Sequence, residues 1–221
     1  MAEFSIVIPS RKAENLVPCV QAVLKCEPDL DPSRIIVIDD GARPDAEGAL
    51  PGVTWIAGVK PFIFARNVNL GIVSVDHDVI LLNDDALLKA HKGFSALSEA
   101  AQYRWGLVSA STNCGNVCQE PQGFNGVRED QVHCPSFICV YIPRETIRRI
   151  GPLDERFVEY GWEDNDYVRR TRNAGLRVGI FDHCFVDHMT LHSSFRGKAG
   201  MGHDIRPGWK IYQDKWGQGA I

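Results

Sequence analysis

The sequence predicts an α/β protein built on a doubly wound, mostly parallel sheet, and three observations carry that prediction. Short aliphatic runs recur at Ile6-Val7-Ile8, Ile35-Ile36-Val37-Ile38 and Val79-Ile80-Leu81-Leu82, too uniformly apolar for a sheet with one wet face. Segments of helical spacing separate the runs, and that alternation is the signature of strands joined by helical crossovers. Two runs stop abruptly on acid, at Asp39-Asp40-Gly41 and at Asn83-Asp84-Asp85. Open α/β sheets bind ligands where their strands end, so acids in those places point at a ligand. A solvated turn is the alternative for either cluster, because Asn and Asp are good turn residues.

In chain order, Phe4-Ser5-Ile6-Val7-Ile8-Pro9 is a buried strand closed by Pro9, which cannot donate to a ladder. Glu14 to Cys26 places Leu16, Val20, Val23 and Leu24 at helical spacing, and Pro28, Asp29, Asp31 and Pro32 end the helix. Ile35 to Ile38 is the second strand and Val53 to Ile56 the third. Pro61 to Val75 reads as a helix with Phe62, Ala65, Val68 or Asn69, and Ile72 on one face. The run Val79 to Leu82 follows, then a helix from His91 to about Tyr103 and a strand from Gly106 to Ala110. Asn113 to Cys134 has no clear periodicity, which marks a functional loop or a misread element. Ser136 to Ile142 is a strand, and Pro143 opens a helix that Gly151-Pro152 ends. Tyr167 to Ala174 is helical, with Gly175 as its stop, and Leu176 to Phe181 is the last strand.

The chain's 221 residues suit one sizeable core, here a single domain over 1–221 with halves at 1–111 and 112–195 and a flexible tail over 196–221. Hydrophobic residues are 44% and charged residues 24%, ordinary for a globular protein, and no run approaches a membrane span. Net charge is −4, which argues against a partner recognised through nucleic-acid phosphates. The N-terminus lacks a basic, apolar leader, and the cysteines number seven, so the expectation is reduced thiols in a cytoplasmic protein. Cys114, Cys118, His133 and Cys134 flank a loop as two ligand pairs. Their spacing is not a strong zinc pattern, and they are read as free thiols with zinc as the alternative.

A second acidic centre spans Leu153 to Asp166 and culminates in Gly161-Trp162-Glu163-Asp164-Asn165-Asp166. Acid here and Arg169, Arg170 and Arg172 further on suit a helix macrodipole, which accounts for the acids but not for Gly161-Trp162. Past the last strand come His183, His188 and His192, which are either metal ligands near strand ends or part of a polar loop.

Taken in order, Ile38-Asp39-Asp40-Gly41-Ala42, Phe64-Ala65-Arg66-Asn67, Leu82-Asn83-Asp84-Asp85 and Gly161-Trp162-Glu163-Asp164-Asn165-Asp166 resemble the family 2 glycosyltransferases that use nucleotide-diphosphosugars. The resemblance runs from about Phe4 to Ser194 and implies a GT-A, Rossmann-like domain with an inverting mechanism. It implies that Asp39 or Asp40 holds the nucleotide base or ribose, with Arg66 against base or diphosphate. Pro9, Ser10 and Arg11 fall on the same nucleotide side. Asp85 and His188 are implied as ligands of Mn²⁺ or Mg²⁺, and Asn83 and Asp84 as lining for the ribose and sugar. Asp164 is implied as the catalytic base, kept ionised near a helix start, with Glu163 and Trp162 shaping the sugar or acceptor pocket.

Inverting transfer asks for one base on the acceptor hydroxyl and one cation on the leaving diphosphate, and the two acidic centres supply both. Two positions depart from the family pattern: Asn83 stands for a first Asp, and Ser10-Arg11-Lys12 replaces a Thr-aromatic-Asn turn. The implied donor is a nucleoside-diphosphate sugar, with a UDP-sugar favoured. The acceptor is a hydroxyl on a soluble sugar, a lipid-linked glycan, a protein or a modified nucleic-acid base. Arg196 onward, with Gly197, Gly200 and Gly202, is read as a mobile lid. A nucleotidyltransferase is the rival of the same fold, but Ser10 to Asn15 lacks the glycine-rich loop it needs. A non-catalytic nucleotide-sugar-binding module is the rival of another class.

Overall fold

The computed structural model describes residues 3–102, 105–158, 161–191 and 205–217. Within them the chain runs β1 (Phe4–Ser10), α1 (Ala13–Cys26), β2 (Ile35–Asp39), α2 (Arg43–Ala46), β3 (Thr54–Ala57), α3 (Phe64–Val73), β4 (Asp78–Leu82), β5 (Leu87–Leu88) and α4 (Gly93–Ala100). It continues through β6 (Trp105–Thr112), β7 (Val127–Glu129), β8 (Cys139–Ile142), α5 (Arg144–Ile150), α6 (Glu163–Asn173), β9 (Arg177–Asp187) and α7 (Arg206–Trp216).

The strands form one nine-stranded sheet in the order β3-β2-β1-β4-β8-β6-β9-β5, with β7 added beside β9. β1, β2, β3, β4, β6 and β9 run one way and β5, β7 and β8 run against them. The sheet is therefore mostly parallel, as its apolar strands predicted. Side chains alternate between the faces. Ile6 and Ile8 pack under α1 and α4 with Leu16, Val20, Phe94 and Leu97, whereas Val7 packs under α3 and α6 with Val68, Ile72 and Tyr167. A one-residue slip of β1 would exchange the two sets, so burial of both fixes its register. Helix α3 lies so close that a Cβ on Gly71 would fall 2.4 Å from a Val7 methyl.

Three elements differ from expectation in ways that matter for the site. Pro9 does not close β1; the strand runs on to Ser10. Ser10 faces β2, where its carbonyl accepts from the Asp40 N–H, so Pro9 faces the β4 side. There the pairing already ends at Val7 and Leu81, and the missing N–H falls where no ladder bond is due. Helix α6 starts at Glu163, four residues before the predicted Tyr167, which puts Glu163, Asp164 and Asp166 in its first turn. In the stretch read as a tail, Arg206–Trp216 is a helix; Arg196, Lys198 and the glycines of the expected lid lie outside the described residues.

The aperiodic stretch from Asn113 to Cys134 is held by side chains rather than by a ladder. It contains a single 3-10 turn at Val117–Gln119 and the short β7. Buried Gln119 donates to Ser109 Oγ and the Ser136 carbonyl and accepts from the N–H groups of Asn116 and Ser136. Asp182 accepts from the N–H groups of Gln122 and Phe124 and pairs with Arg128 at 2.9 Å.

Candidate active site

Parallel strands deliver their last residues to one edge, and here β1, β2, β4, β6 and β9 end on Ser10, Asp39, Leu82, Thr112 and Asp187. Helix α6 leads back into β9, so its N-terminus lies at that same edge. This topology gathers the two acidic centres and the histidine from distant parts of the sequence.

Asn83, Asp84 and Asp85 follow β4 directly. The Asn83 N–H donates to the Ile138 carbonyl at 2.9 Å, which ties the turn to the residues entering β8. Asp84 is buried and accepts from Ser10 Oγ at 2.7 Å. Asp85 is buried as well, and its Oδ1 lies 3.0 Å from His188 Nε2, just past β9. The imidazole is fixed from behind: its Nδ1 is 3.2 Å from the Cys114 carbonyl, and the His188 N–H donates to Asn113 Oδ1. A carbonyl accepts only, so Nδ1 carries a hydrogen there. Nε2 therefore faces the Asp85 carboxylate directly.

The pair fits a divalent cation. Metal–ligand bonds of about 2.1 Å place adjacent octahedral ligands about 3.0 Å apart, which is the Oδ1–Nε2 distance seen here. Carboxylate oxygen with one imidazole suits Mn²⁺, and the backbone carbonyl behind the ring is the usual orienting partner. Among the described residues no group of three or more His, Cys, Asp and Glu side chains is arranged for a metal. His183 is exposed, with its ring against Phe181, and His192 lies outside the described residues. Cys114, Cys118, His133 and Cys134 do not assemble: His133 turns to Asp130 at 3.0 Å, and burial pushes the Cys118 thiol up to about 11.

The second centre connects to the first through three residues. The Phe137 N–H faces the Asp164 carboxylate and favours its charge, and the next carbonyl, Ile138, accepts from Asn83. Asp164 Oδ1 also accepts from the N–H and side-chain amide of Asn165. Burial raises the Asp164 carboxyl above the ordinary aspartate range despite those donors. Glu163 is pushed up to about 8, by burial first and by the adjacent Asp164 charge second. Its Oε2 is buried without a hydrogen-bond partner among the described residues. For both carboxyl groups removal from water outweighs the first-turn N–H groups, so the helix start is not the dominant influence on their proton affinity.

Gly161 and Trp162 both have left-handed backbone, φ +93° and +76°. Trp162 packs on α7, its ring 4.4 Å from that of Trp209 and 5.2 Å from that of Tyr212. The contact supplies the account that the helix dipole left out.

On the nucleotide side, Asp39 Oδ1 accepts from the N–H groups of Gly41 and Arg43, shaping the turn after β2. Asp40 is buried and pairs with Lys60 Nζ at 2.5 Å. Arg11 is exposed, and its carbonyl lies beside Gly41. Arg66 is in the first turn of α3 with Nε 3.9 Å from Glu155. Asn67 and Asn69, beside it, are structural: Asn67 clamps Val59, and Asn69 exchanges hydrogen bonds with Leu153.

Sequence reasoning passed over Lys60, Asn113 and Phe137. Asn113 directly follows a strand that ends at the site edge, so the strand-end rule reaches it. Lys60 and the Phe137 N–H have no local signature. A depression of about 440 Å³, lined by Glu3, Glu27, Arg34 and Lys92 among others, lies away from this chemistry at the amino ends of the strands.

This architecture was compared with known proteins. It matches a mannosyltransferase, PcManGT from Pyrobaculum calidifontis in complex with GDP-Man and Mn²⁺, with a TM-score of 0.63 and 14% identity over 96% of this chain and 61% of that one. GalNAc-T7 with UDP, GalNAc and Mn²⁺ matches with a TM-score of 0.72 and 13% identity over 99% of this chain and 49% of that one. S. aureus TarS 1–349 in complex with UDP-GlcNAc matches with a TM-score of 0.67 and 10% identity over 96% of this chain and 64% of that one. The chain has the GT-A fold. It spans 49% to 64% of the length of these GT-A structures. No protein-family model and no curated protein sequence matches it. No helix among the described residues of this GT-A chain is long and apolar enough to cross a membrane.

Proposed function

We propose that this chain is a metal-dependent, inverting glycosyltransferase of the family 2 kind. It moves a sugar from a nucleoside-diphosphate donor, a UDP-sugar by preference, to a hydroxyl acceptor. The observation that carries the reading is the 3.0 Å approach of Asp85 to His188 where β4 and β9 end. Those residues are far apart in the sequence and follow different strands, β4 and β9. Support for the donor class comes from the fold neighbours, whose structures hold GDP-Man, UDP and UDP-GlcNAc.

In this reading Asp85 and His188 hold Mn²⁺ or Mg²⁺. A cation held there would supply the positive charge that a leaving diphosphate needs. Asn83 and Asp84 line the ribose and sugar side, and the Ser10 hydroxyl keeps Asp84 in place. Asp39 or Asp40, with Pro9, Ser10, Arg11 and Arg66, forms the nucleotide side. Asp164 takes the acceptor hydroxyl proton from the face opposite the diphosphate. A carboxylate raised by burial is a better base for a hydroxyl than one in water. Glu163, held neutral at the pH of transfer, spares Asp164 a second negative charge at close range. Trp162 borders the acceptor side. Unpaired cysteines support placing the protein in a reducing compartment, the cytoplasm.

A hydrolysis screen of UDP-, GDP- and dTDP-sugars with Mn²⁺ tests the proposal, since water replaces the acceptor. Release of a nucleoside diphosphate that stops on metal removal is the expected result. No release from any donor, together with no Mn²⁺-dependent nucleotide binding, overturns it.

A further inference from the structure

We propose that Lys215 is a positioning residue for the base: α7 grips the first turn of α6 on both sides of Asp164, and Lys215 is its latch. This inference rests on the assignment of Asp164 above. The contacts of α7 fall before and after Asp164. Before it, Gly208 lies against the Gly161 carbonyl so closely that a Cβ there would come within 2.2 Å, and Trp209 and Tyr212 cover the Trp162 ring. After it, the fully buried Asp166 receives Lys215 Nζ at 2.6 Å and Trp216 Nε1 at 2.9 Å on Oδ1, with Arg170 on Oδ2 at 2.8 Å. The same Lys215 ammonium reaches Asp154 Oδ2 at 2.6 Å, so one cation joins α7, α6 and the segment entering α6. Arg169 adds a face-on contact with Trp216, 4.6 Å from its ring centre.

The bracketing matters because the joint it holds is strained. Trp162 sits in left-handed backbone, a conformation that a bulky residue adopts when its surroundings enforce it. That joint is followed at once by Glu163 and Asp164, so its angles aim the base. The first hydrogen bond of α6 runs from the Asp166 N–H to the Trp162 carbonyl, which links the latched residue to the strained one. With Lys215 removed, Asp166 keeps Arg170 and Trp216, so the fold survives while the joint loses a tether. The effect belongs in the rate of the proton-transfer step and not in donor affinity, because α7 contacts neither Asp85 nor His188 among the described interactions.

The test compares Lys215→Met and Lys215→Arg with the unaltered protein in Mn²⁺-dependent nucleotide-sugar turnover, with UDP·Mn²⁺ affinity and melting temperature measured alongside. The expected result for Lys215→Met is a fall in kcat of about tenfold to a hundredfold, the range for a misplaced catalytic group, with Kd within twofold. Lys215→Arg should recover most of that loss. Unchanged kcat in Lys215→Met overturns the proposal, and so does a parallel loss of kcat, affinity and cooperative melting. Trp216→Phe, which removes one hydrogen bond to Asp166, supplies a milder variant whose kcat must also fall. If the unaltered protein binds UDP·Mn²⁺ but turns over no donor, the base assignment fails, and the positioning role with it. Turnover that is indifferent to Lys215 removes the positioning role alone.

Discussion

Asp164 stands between opposed influences: burial disfavours its charge, while hydrogen bonds from the Asn165 N–H and side-chain amide favour it. Replacing it with Asn keeps the shape and, in the proposed mechanism, removes the base. Turnover of Asp164→Asn should fall by about 10²- to 10⁴-fold, the usual contribution of a positioned base, with UDP·Mn²⁺ affinity unchanged; steady-state kinetics and calorimetry check both halves. Asp85→Ala should weaken Mn²⁺-dependent UDP binding by at least about tenfold, while metal-free binding stays the same. Glu163 makes a pH prediction whose sign follows from its raised carboxyl. The folded state prefers the neutral acid, so the stabilisation is complete below the ordinary value of 4.5 and is lost as pH rises through about 8. The melting temperature of the unaltered protein minus that of Glu163→Gln should therefore decline across this window; a flat difference would contradict the assignment.

Among the elements, the loop between β6 and β8 shows how an aperiodic stretch is fixed. Its anchors are Gln119, saturated with hydrogen bonds, and Asp182, whose pairing with Arg128 is largely hidden from water. Breaking such a pair leaves a buried charge behind, which typically costs about 3–5 kcal/mol. Asp182 would keep the N–H groups of Gln122 and Phe124, so Arg128→Met should destabilise the protein by about 3 kcal/mol, the lower end. Denaturant unfolding measures this directly. Because β7 pairs with β9, which leads to His188, the same change should also weaken Mn²⁺-dependent nucleotide binding.

For the whole molecule, the sheet supplies rigidity and its carboxyl edge supplies convergence. In the proposed reading a ligand bound there would join β4, β9 and the residues after β6, and so would stabilise the entire domain by mass action. At one hundred times Kd, UDP with Mn²⁺ should add about 2.7 kcal/mol. For a domain of this size the melting temperature should rise by about 5–10 °C. Neither UDP nor Mn²⁺ alone should reproduce the shift, and at the same ligand concentration Asp85→Ala should reduce it to about half or less.

The strands, the helices between them and the acids at their ends were legible in the sequence because each is a local pattern: an aliphatic run, a helical repeat, a polar stop. The pairing of Asp85 with His188 was legible only through family resemblance, since no local pattern relates the residues that follow β4 to those that follow β9. The tertiary structure decided what depends on neighbours distant in sequence. It made Asp166 a buried anchor for Lys215 and Trp216, gave Asp40 a partner in Lys60, and turned part of a presumed tail into a helix against Trp162. It also raised the affinity of the Glu163 carboxyl for its proton, because that affinity is set by the water and charge around the group after folding, and sequence order alone specifies neither.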